Sequence, residues 1–166
     1  WGRCFPQTTN STGRHSTPNV VVELAPTTEG MAMDSFDSNV VIYLLGPDPG
    51  KVAKSKSLLA NPGVVSVQVF NEVVAALRSG KQPNPTRWAT VDNVLAFLRA
   101  NHRVVPVDLA THSRARAYAD RYSLKIYDAN IVAAAVLAGC STLYSENMQN
   151  GQVIDGLTIR NPYAVP

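Results

Sequence analysis

The sequence predicts an α/β fold, a three-layer α/β/α sandwich with a mostly parallel central sheet. Short runs of valine, isoleucine and leucine alternate along the chain with longer stretches of helical periodicity. This alternation is typical of a parallel sheet that carries helices on both faces. Apolar residues make up 45% of the 166 residues and charged residues 16%. This composition excludes a mainly disordered chain and provides enough apolar side chains for one domain with a substantial core.

Residues 1–30 differ from the rest of the chain because they are rich in Thr, Ser, Asn, Pro and Gly. We interpret them as a poorly ordered extension, or as an artefact at the start of a sequence that begins with Trp1. The alternative is a genuine arm that packs on the domain or on a partner through a strand at residues 20–22. The folded domain is expected at residues 31–166.

In the first half of this domain, a short strand ends at residues 35–39 and leads into an apolar helix at 40–45. The segment Gly46-Pro47-Asp48-Pro49-Gly50 then interrupts the chain. The elements that follow are a basic helix at 51–60, a strand at 64–65, a helix at 67–78 and an amphipathic helix at 87–100. Four apolar residues of the last helix are expected to face inward: Trp88, Val91, Leu95 and Leu98.

The second half of the domain is expected to continue the alternation of strands and helices. Its elements are a strand at 104–107, a helix at 109–122, a helix at 127–137 that ends at Gly139, a strand at 141–144, a turn at 149–152, and short strands at 153–154 and 157–159. The helix at 127–137 is nearly all apolar, and we expect it at the centre of the fold. The apolar helices at 40–45 and 87–100 are candidates for a dimer interface.

One carboxylate, Asp128, lies in the first turn of the central helix. The residues three, four, seven and eight positions later are Ile131, Val132, Ala135 and Val136. Asp128 therefore shares a helical face with side chains that should be buried. A buried carboxylate is costly unless it is paired, hydrogen-bonded or bound to a metal. The simpler interpretation is that Asp128 only stabilises the helix N-terminus, where acidic residues are favoured.

Three further carboxylates, Asp37, Glu72 and Glu146, lie at the end of a strand or beside the apolar face of a helix. In α/β sheets, sites form at the carboxyl ends of the strands, and we expect these acids to converge there with Asp128. Several carboxylates at one place repel one another unless a cation neutralises them. Oxygen ligands without Cys or clustered His favour Mg²⁺ or Mn²⁺, and such a site suits phosphodiester hydrolysis. The alternative is that all four are helix caps or solvated residues.

Other kinds of site find no support in the sequence. It lacks G-x-S-x-G, a phosphate-binding loop and G-x-G-x-x-G. The two cysteines have no metal-binding spacing, and the three histidines, His15, His102 and His112, are scattered. A surface or capping role is expected for each histidine. The apolar runs are too short to span a membrane and no secretory signal is evident, which predicts a cytoplasmic protein without membrane contact.

Basic residues provide a weaker indication of a partner. The formal net charge of +3 permits binding to an acidic partner such as nucleic acid without requiring one. Arg78, Arg114 and Arg116 are candidates for contacting substrate phosphates. The alternative is that these arginines belong to ordinary solvated helix surfaces.

Four short segments, taken in order, resemble the PIN domain family, and more closely the VapC-type toxin ribonucleases of bacterial toxin–antitoxin pairs. The segments are Phe36-Asp37-Ser38-Asn39-Val40, Asn71-Glu72-Val73, Tyr127-Asp128-Ala129 and Leu143-Tyr144-Ser145-Glu146-Asn147. The closing segment at residues 151–157 adds to the resemblance, which covers residues 33–161. It implies cleavage of RNA that depends on Mg²⁺ or Mn²⁺, an antitoxin that blocks the acidic pocket and, commonly, a homodimer.

The resemblance matches Asp37, Glu72 and Asp128 to the first three acidic positions of the family, which implies that they hold the metal ion. Ser38 and Ser145 are candidates for hydrogen bonds to a carboxylate or to water.

The fourth acidic position departs from the family's pattern, because this chain has Asn147 there. Asparagine offers a carbonyl oxygen without a charge, which should weaken ion binding and the activation of water. The neighbouring Glu146 is a candidate substitute if the loop turns it inward. Two functions stay open at this point. One is a metal-dependent endoribonuclease, and the other is a catalytically weakened or inactive module of the same fold that binds RNA or a partner.

Overall fold

A computed structural model describes residues 33–79 and 85–164 of the chain. The predictions made for residues 1–30, including the strand at 20–22 and the role of His15, lie outside these described residues. The boundary at residue 31 stays a prediction.

Within the described residues, six strands form a single sheet. They are β1 (Met33–Phe36), β2 (Val64–Ser66), β3 (Arg103–Val105), β4 (Cys140–Tyr144), β5 (Val153–Ile154) and β6 (Leu157–Arg160). The strand order is β3-β2-β1-β4-β6-β5, and only β5, at one edge, is antiparallel to its neighbour. The predicted α/β class with a mostly parallel sheet is confirmed.

Six helices flank the sheet in the described part of the chain. They are α1 (Ser38–Ile42), α2 (Pro49–Leu59), α3 (Val67–Leu77), α4 (Trp88–Asn101), α5 (Leu109–Tyr122) and α6 (Ile126–Leu137). A short 3-10 turn (Tyr43–Leu45) follows α1 directly, so the apolar helix expected at 40–45 is the end of α1 and this turn. None of the described helices is both long and apolar enough to cross a bilayer.

The central position predicted for the helix at 127–137 is confirmed by its burial. Every residue from 129 to 135 of α6 is buried, including the Ile131 and Val132 that share a face with Asp128. Four of these seven positions are alanine, and alanine combines high helix propensity with a small side chain that lets neighbouring elements approach closely. The carboxylate at the N-terminal end of this helix is thereby held against the core.

The register of the sheet places the loops after β1 and β4 side by side. Phe36, the last residue of β1, pairs with Tyr144, the last residue of β4. The backbone N–H of Asp37 donates to the carbonyl oxygen of Tyr144 at 3.0 Å. Residues 37 and 145, which are far apart in sequence, therefore begin their loops at the same point of the carboxyl edge.

One prediction about a single side chain is wrong, and another is confirmed only in its capping alternative. Trp88 was expected to face inward, but it lies in the first turn of α4 and is 54% exposed. Its ring contacts the Arg78 guanidinium, at 4.7 Å, instead of packing in the core. Val91 and Leu98 of the same helix are buried as predicted. His102 does follow α4 at the capping position, but its ring is buried between Phe36 and Phe97 instead of lying at the surface.

Candidate active site

Asp37 lies in the turn between β1 and α1 and is the N-cap of that helix. Its Oδ1 accepts a hydrogen bond from the backbone N–H of Ser38 at 2.6 Å. An aspartate is favoured here because its oxygen satisfies a backbone donor at the start of the helix. The capping role that sequence reasoning kept as an alternative is therefore observed. A surface cap is normally solvated, however, and Asp37 is only 2% exposed.

The second oxygen of Asp37 is held by two side chains. Oδ2 accepts hydrogen bonds from Asn39 Nδ2 and from Ser145 Oγ, both at 2.6 Å. Burial raises the pKa of Asp37 to about 6, against the opposing effect of the hydrogen bonds from Ser145 and Ser38, and the nearby Glu72 adds to the increase. A carboxylate that is this well supplied with donors and still has a raised pKa lacks a compensating positive charge.

Glu72, in the middle of α3, approaches Asp37 through a shared hydroxyl group. Ser38 Oγ lies 2.6 Å from Glu72 Oε2 and 3.2 Å from Asp37 Oδ1. A serine hydroxyl has one hydrogen to donate, and the shorter distance assigns it to Glu72. The other oxygen of Glu72 accepts a hydrogen bond from Gln68 Nε2, one helical turn earlier, at 3.1 Å. Glu72 is thus oriented by two neutral donors.

Asp128 completes this acidic group from α6. It is half-buried, and burial raises its pKa, with a further increase from Glu72 and an opposing effect from Lys125. Glu72 therefore acts electrostatically on both aspartates. The structure places Glu72 beside Asp37 through the Ser38 hydroxyl, and Glu72 lines one cavity with Asp128. The three acids are therefore neighbours in pairs at the carboxyl edge of the sheet, and their role as metal ligands stays a prediction.

Two cavities meet at Asp128. The larger, of about 670 Å³, is lined by Tyr122, Ser123, Leu124, Lys125, Asp128, Asn147, Met148, Gln149 and Gln152. The smaller, of about 410 Å³, is lined by Gln68, Asn71, Glu72, Ala75, Lys125, Tyr127 and Asp128. Asp128 and Lys125 are the residues that line both. Asn147, the departure from the family's pattern, therefore faces the same space as Asp128.

Glu146 does not join the acidic group, and the hypothesis that it replaces the missing fourth acid needs correction. Both of its carboxylate oxygens accept hydrogen bonds from Lys51 Nζ, at 2.7 and 2.8 Å, and one also accepts from the Tyr43 hydroxyl. These donors, Lys51 first, lower the pKa of Glu146. The charge of Glu146 is already compensated, whereas only its backbone N–H turns toward the site, where it donates to Asn39 Oδ1 at 3.3 Å.

The three arginines proposed as phosphate contacts lie elsewhere. Arg78 packs on Trp88 and donates to the carbonyl oxygen of Thr86 at 3.0 Å. Arg114 and Arg116 are exposed on α5, and Arg116 lies 3.5 Å from Asp120. None of the three arginines lines either cavity. Lys125 is the cation that the described structure places between the cavities.

The residues fit a divalent cation by their chemistry. The donors around the site are carboxylate, hydroxyl and amide oxygens, the ligand set of Mg²⁺ and Mn²⁺. The raised pKa values of Asp37 and Asp128 are the signature of acids that a cation would stabilise in their charged form. No three His, Cys, Asp or Glu side chains of the described chain are already arranged around one point as a metal site. The fit therefore concerns the type of donor and the charge, not a finished coordination geometry.

Three polar contacts of the site were missed by sequence reasoning. Asn39 follows Asp37 by two positions and directly precedes an apolar run, and Gln68 precedes Glu72 by one helical turn. Both spacings were visible signals, because they are the ones at which such side chains meet. Lys125 gave no signal beyond its closeness to Asp128 in the sequence.

Comparison with known structures supports this description of the fold. A protein of a toxin–antitoxin complex from Klebsiella pneumoniae has a TM-score of 0.59 at 20% identity, over 80% of this chain and 99% of that chain. The DNA-bound VapBC from Salmonella typhimurium has a TM-score of 0.58 at 18% identity, over 80% and 99%. For VapC20 from Mycobacterium tuberculosis, a toxin that cleaves the sarcin–ricin loop, the TM-score is 0.56 at 17% identity, over 69% and 89%.

These TM-scores show a shared fold, at identities of 20% or less. No match was found among curated protein sequences. At the level of families, the model of the PIN domain matches residues 36–149, which include the turn with Asp37, the helix with Glu72, the first turn of α6 and the loop with Asn147. Because the match spans more than half of the sequence, the chain belongs to the PIN domain family.

Proposed function

We propose that this protein is a metal-dependent endoribonuclease, the VapC-type toxin of a bacterial toxin–antitoxin pair, which hydrolyses RNA phosphodiester bonds with Mg²⁺ or Mn²⁺. The observation that carries the proposal is the convergence of Asp37, Glu72 and Asp128 at the carboxyl edge of a PIN sheet. There the pKa values of Asp37 and Asp128 are raised by burial and by Glu72. A toxin that cleaves the sarcin–ricin loop is among the proteins that share this fold, which supports RNA as the substrate class.

In this proposal, Asp37, Glu72 and Asp128 hold the divalent ion. When bound, the ion lowers the pKa of a water molecule and stabilises negative charge on the phosphate. The remaining residues prepare the acids. Asn39, Ser145 and the Ser38 backbone hold both oxygens of Asp37.

Two side chains act on the other acids. Gln68 orients Glu72, and Lys125 places a positive charge beside Asp128, where a substrate phosphate would otherwise meet only carboxylates. Fixing these groups before the substrate arrives avoids the cost of reorganisation during the reaction.

An antitoxin partner is proposed on the basis of the relatives. The similar structures include a toxin–antitoxin complex from Klebsiella pneumoniae and VapBC complexes with DNA from Rickettsia felis and Salmonella typhimurium. We propose that a cognate antitoxin covers the acidic cavities of this chain. The homodimer and the cytoplasmic location stay predictions.

The test of the proposed function is the variant Asp128→Asn. The substitution keeps the shape of the side chain but removes the charge, so cleavage of a labelled RNA with Mg²⁺ or Mn²⁺ should fall at least about a hundredfold, as when a group that stabilises the transition state is lost. The melting temperature should hardly change. The matched control is Asp120→Asn, the same change at an exposed residue of α5 that lines neither cavity. Undiminished cleavage by Asp128→Asn would count against the enzyme.

A second candidate is supported by one residue, Asn147, which places a neutral amide where the family's pattern has an acid. The protein would then be a PIN module that binds RNA or a partner with weakened or absent catalysis. A titration with Mn²⁺ separates the candidates. An increase in melting temperature that disappears in Asp128→Asn supports the enzyme, because only a ligand of the native state stabilises it.

A further inference from the structure

We propose that Tyr127 forms a stacking surface for one base of the RNA, in the smaller of the two cavities that meet at Asp128. This inference rests on the proposed function and adds to it a binding subsite for a nucleotide next to the phosphate that is cut. The subsite consists of the Tyr127 ring, the Gln68 and Asn71 amides, and Lys125, all of which line the 410 Å³ cavity.

The exposure of Tyr127 is unusual for its position. It lies in the first turn of α6, one residue before Asp128 and two before Ala129, which is completely buried. Tyr127 itself is 63% exposed. In the described part of the chain its ring forms no aromatic pair and its hydroxyl forms no hydrogen bond. A large aromatic side chain left in water beside an acidic group is a surface available to another planar group.

The surroundings of the Tyr127 ring suit a nucleobase better than an apolar ligand. Asn71 is exposed on α3, and its amide offers donors and an acceptor to the edge of a base. Gln68 uses its amide N–H to hold Glu72, which leaves its carbonyl oxygen to accept from a base. Ala75 adds a small side chain that leaves room in the cavity. Stacking with polar contacts at the edge is the usual way in which proteins hold an unpaired base.

The position of Lys125 indicates the path of the RNA across the two cavities. Lys125 and Asp128 line both cavities. An RNA strand that passes from one cavity to the other therefore crosses these two residues. A phosphate at this crossing meets the Lys125 ammonium group and the acids proposed to hold the metal. The nucleotide on one side then lies against Tyr127, and the nucleotide on the other side enters the 670 Å³ cavity. The chemistry of the ligand is that of single-stranded RNA, because a base within a duplex has its faces stacked and its Watson–Crick edge paired.

The experiment measures binding of two oligomers by fluorescence anisotropy, in the full chain carrying Asp128→Asn to prevent cleavage. One is a short single-stranded RNA and the other is an abasic oligomer of the same length with its phosphates intact. In this background, Tyr127→Leu should weaken binding of the RNA roughly tenfold, within the range of one lost stacking contact, and leave binding of the abasic oligomer unchanged. Tyr127→Phe keeps the ring and should bind both as the parent does. Leu109→Ala, at an apolar residue of α5 that is 79% exposed, is the control and should have no effect.

Two results would overturn the subsite. If Tyr127→Leu binds the RNA as tightly as the parent does, Tyr127 does not stack on a base. If Tyr127→Leu loses the same affinity for both oligomers, Tyr127 contacts the sugar-phosphate backbone and not a base. If the wild-type chain still cleaves RNA in either case, the proposed function stands and only the inference fails. If the wild-type chain neither cleaves RNA nor distinguishes the two oligomers, both fail. Tyr127→Trp gives a second measurement, since quenching of the added indole fluorescence by the RNA is expected and its absence contradicts stacking.

Discussion

Asp37 is held where its negative charge is costly to the folded protein. Its folded-state pKa is raised to about 6 from an ordinary value of 3.8. The folded chain therefore binds its proton more tightly than the unfolded chain does, and the charge reduces stability as the pH rises from about 3.8 to 6. A divalent cation at this position would reverse the effect by stabilising the charged form. Such a cost is typical of a site that is maintained for function and not for stability.

Asn147 is the residue at which one substitution tests the proposed ion site directly. Asn147→Asp adds a fourth carboxylate to the cavity that Asp128 lines, and the added charge should increase the affinity for Mn²⁺ roughly tenfold and raise RNA cleavage with it. Calorimetric titration with Mn²⁺ measures the first effect. Asn150→Asp, the same change three positions away at an exposed turn residue, is the control. Unchanged Mn²⁺ affinity in Asn147→Asp would show that position 147 takes no part in ion binding.

The positions of single residues were predictable where they depended on local pattern. Asp128 was recognised because the residues that follow it at helical spacing are apolar, and Ile131 and Val132 are indeed buried. The place of the Glu146 carboxylate was not predictable, since its partner Lys51 lies 95 residues earlier in the sequence. The hydrophobic periodicity of a sequence cannot predict a contact between a loop and a helix that is distant in the sequence. The same holds for Trp88, whose ring contacts Arg78 of another element.

At the scale of elements, the contact of Glu146 with α2 holds the loop after β4 in place. The Lys51 ammonium group bonds Glu146 and lies 4.3 Å from the centre of the Tyr43 ring. In the same loop, the backbone N–H of Glu146 donates a hydrogen bond to Asn39 Oδ1, and the backbone N–H of Asn147 donates one to Ser145 Oγ. Ser145 in turn bonds Asp37. A shift of this loop would therefore move a hydrogen-bond donor of Asp37 and the side chain of Asn147.

Lys51 is thus a positioning residue, and its removal should act on kcat more than on KM. Lys51→Met retains the apolar part of the side chain but frees Glu146, and we expect kcat for RNA cleavage to fall roughly tenfold, as for a small misplacement of catalytic groups. KM should change little, because Lys51 lines neither cavity. Lys51→Arg should restore most of the activity. Lys54→Met removes the same charge from an exposed residue of the same helix and should leave both parameters unchanged. An increase in KM with an unchanged kcat would contradict the positioning role.

At the scale of the whole molecule, the sheet order explains why the site could be predicted at all. The alternation of strands and helices implies that the carboxyl ends of parallel strands share one edge, and this rule places the loops after β1 and β4 at the same edge. The observed strand order makes these two strands neighbours. The observed register adds what no sequence pattern specifies, namely that Phe36 pairs with Tyr144, so that Asp37 and Ser145 come into hydrogen-bond contact. The class of site followed from topology, whereas its hydrogen bonds followed from register and side-chain packing.

The packing of the core also predicts how the stability of the whole domain depends on pH. His102 is buried, and within the described residues neither ring nitrogen has a hydrogen-bond partner. Burial lowers its pKa from the ordinary value of 6.5. The unfolded chain therefore takes up a proton near pH 6.5 that the folded chain does not, and this group reduces stability as the pH falls below that value.

His102→Phe should remove this dependence, because phenylalanine fills the space between Phe36 and Phe97 without a group that titrates. Urea unfolding at pH 7.5 and at pH 5 measures the effect. Between these two values the wild-type protein should lose up to about 2 kcal/mol more stability than the variant, the limit set by the interval from pH 6.5 to pH 5. The raised pKa of Asp37 works in the opposite direction in both proteins, so the comparison of wild type with variant cancels it. An equal change in both proteins would mean that water or a shift of the ring satisfies His102 in the folded state.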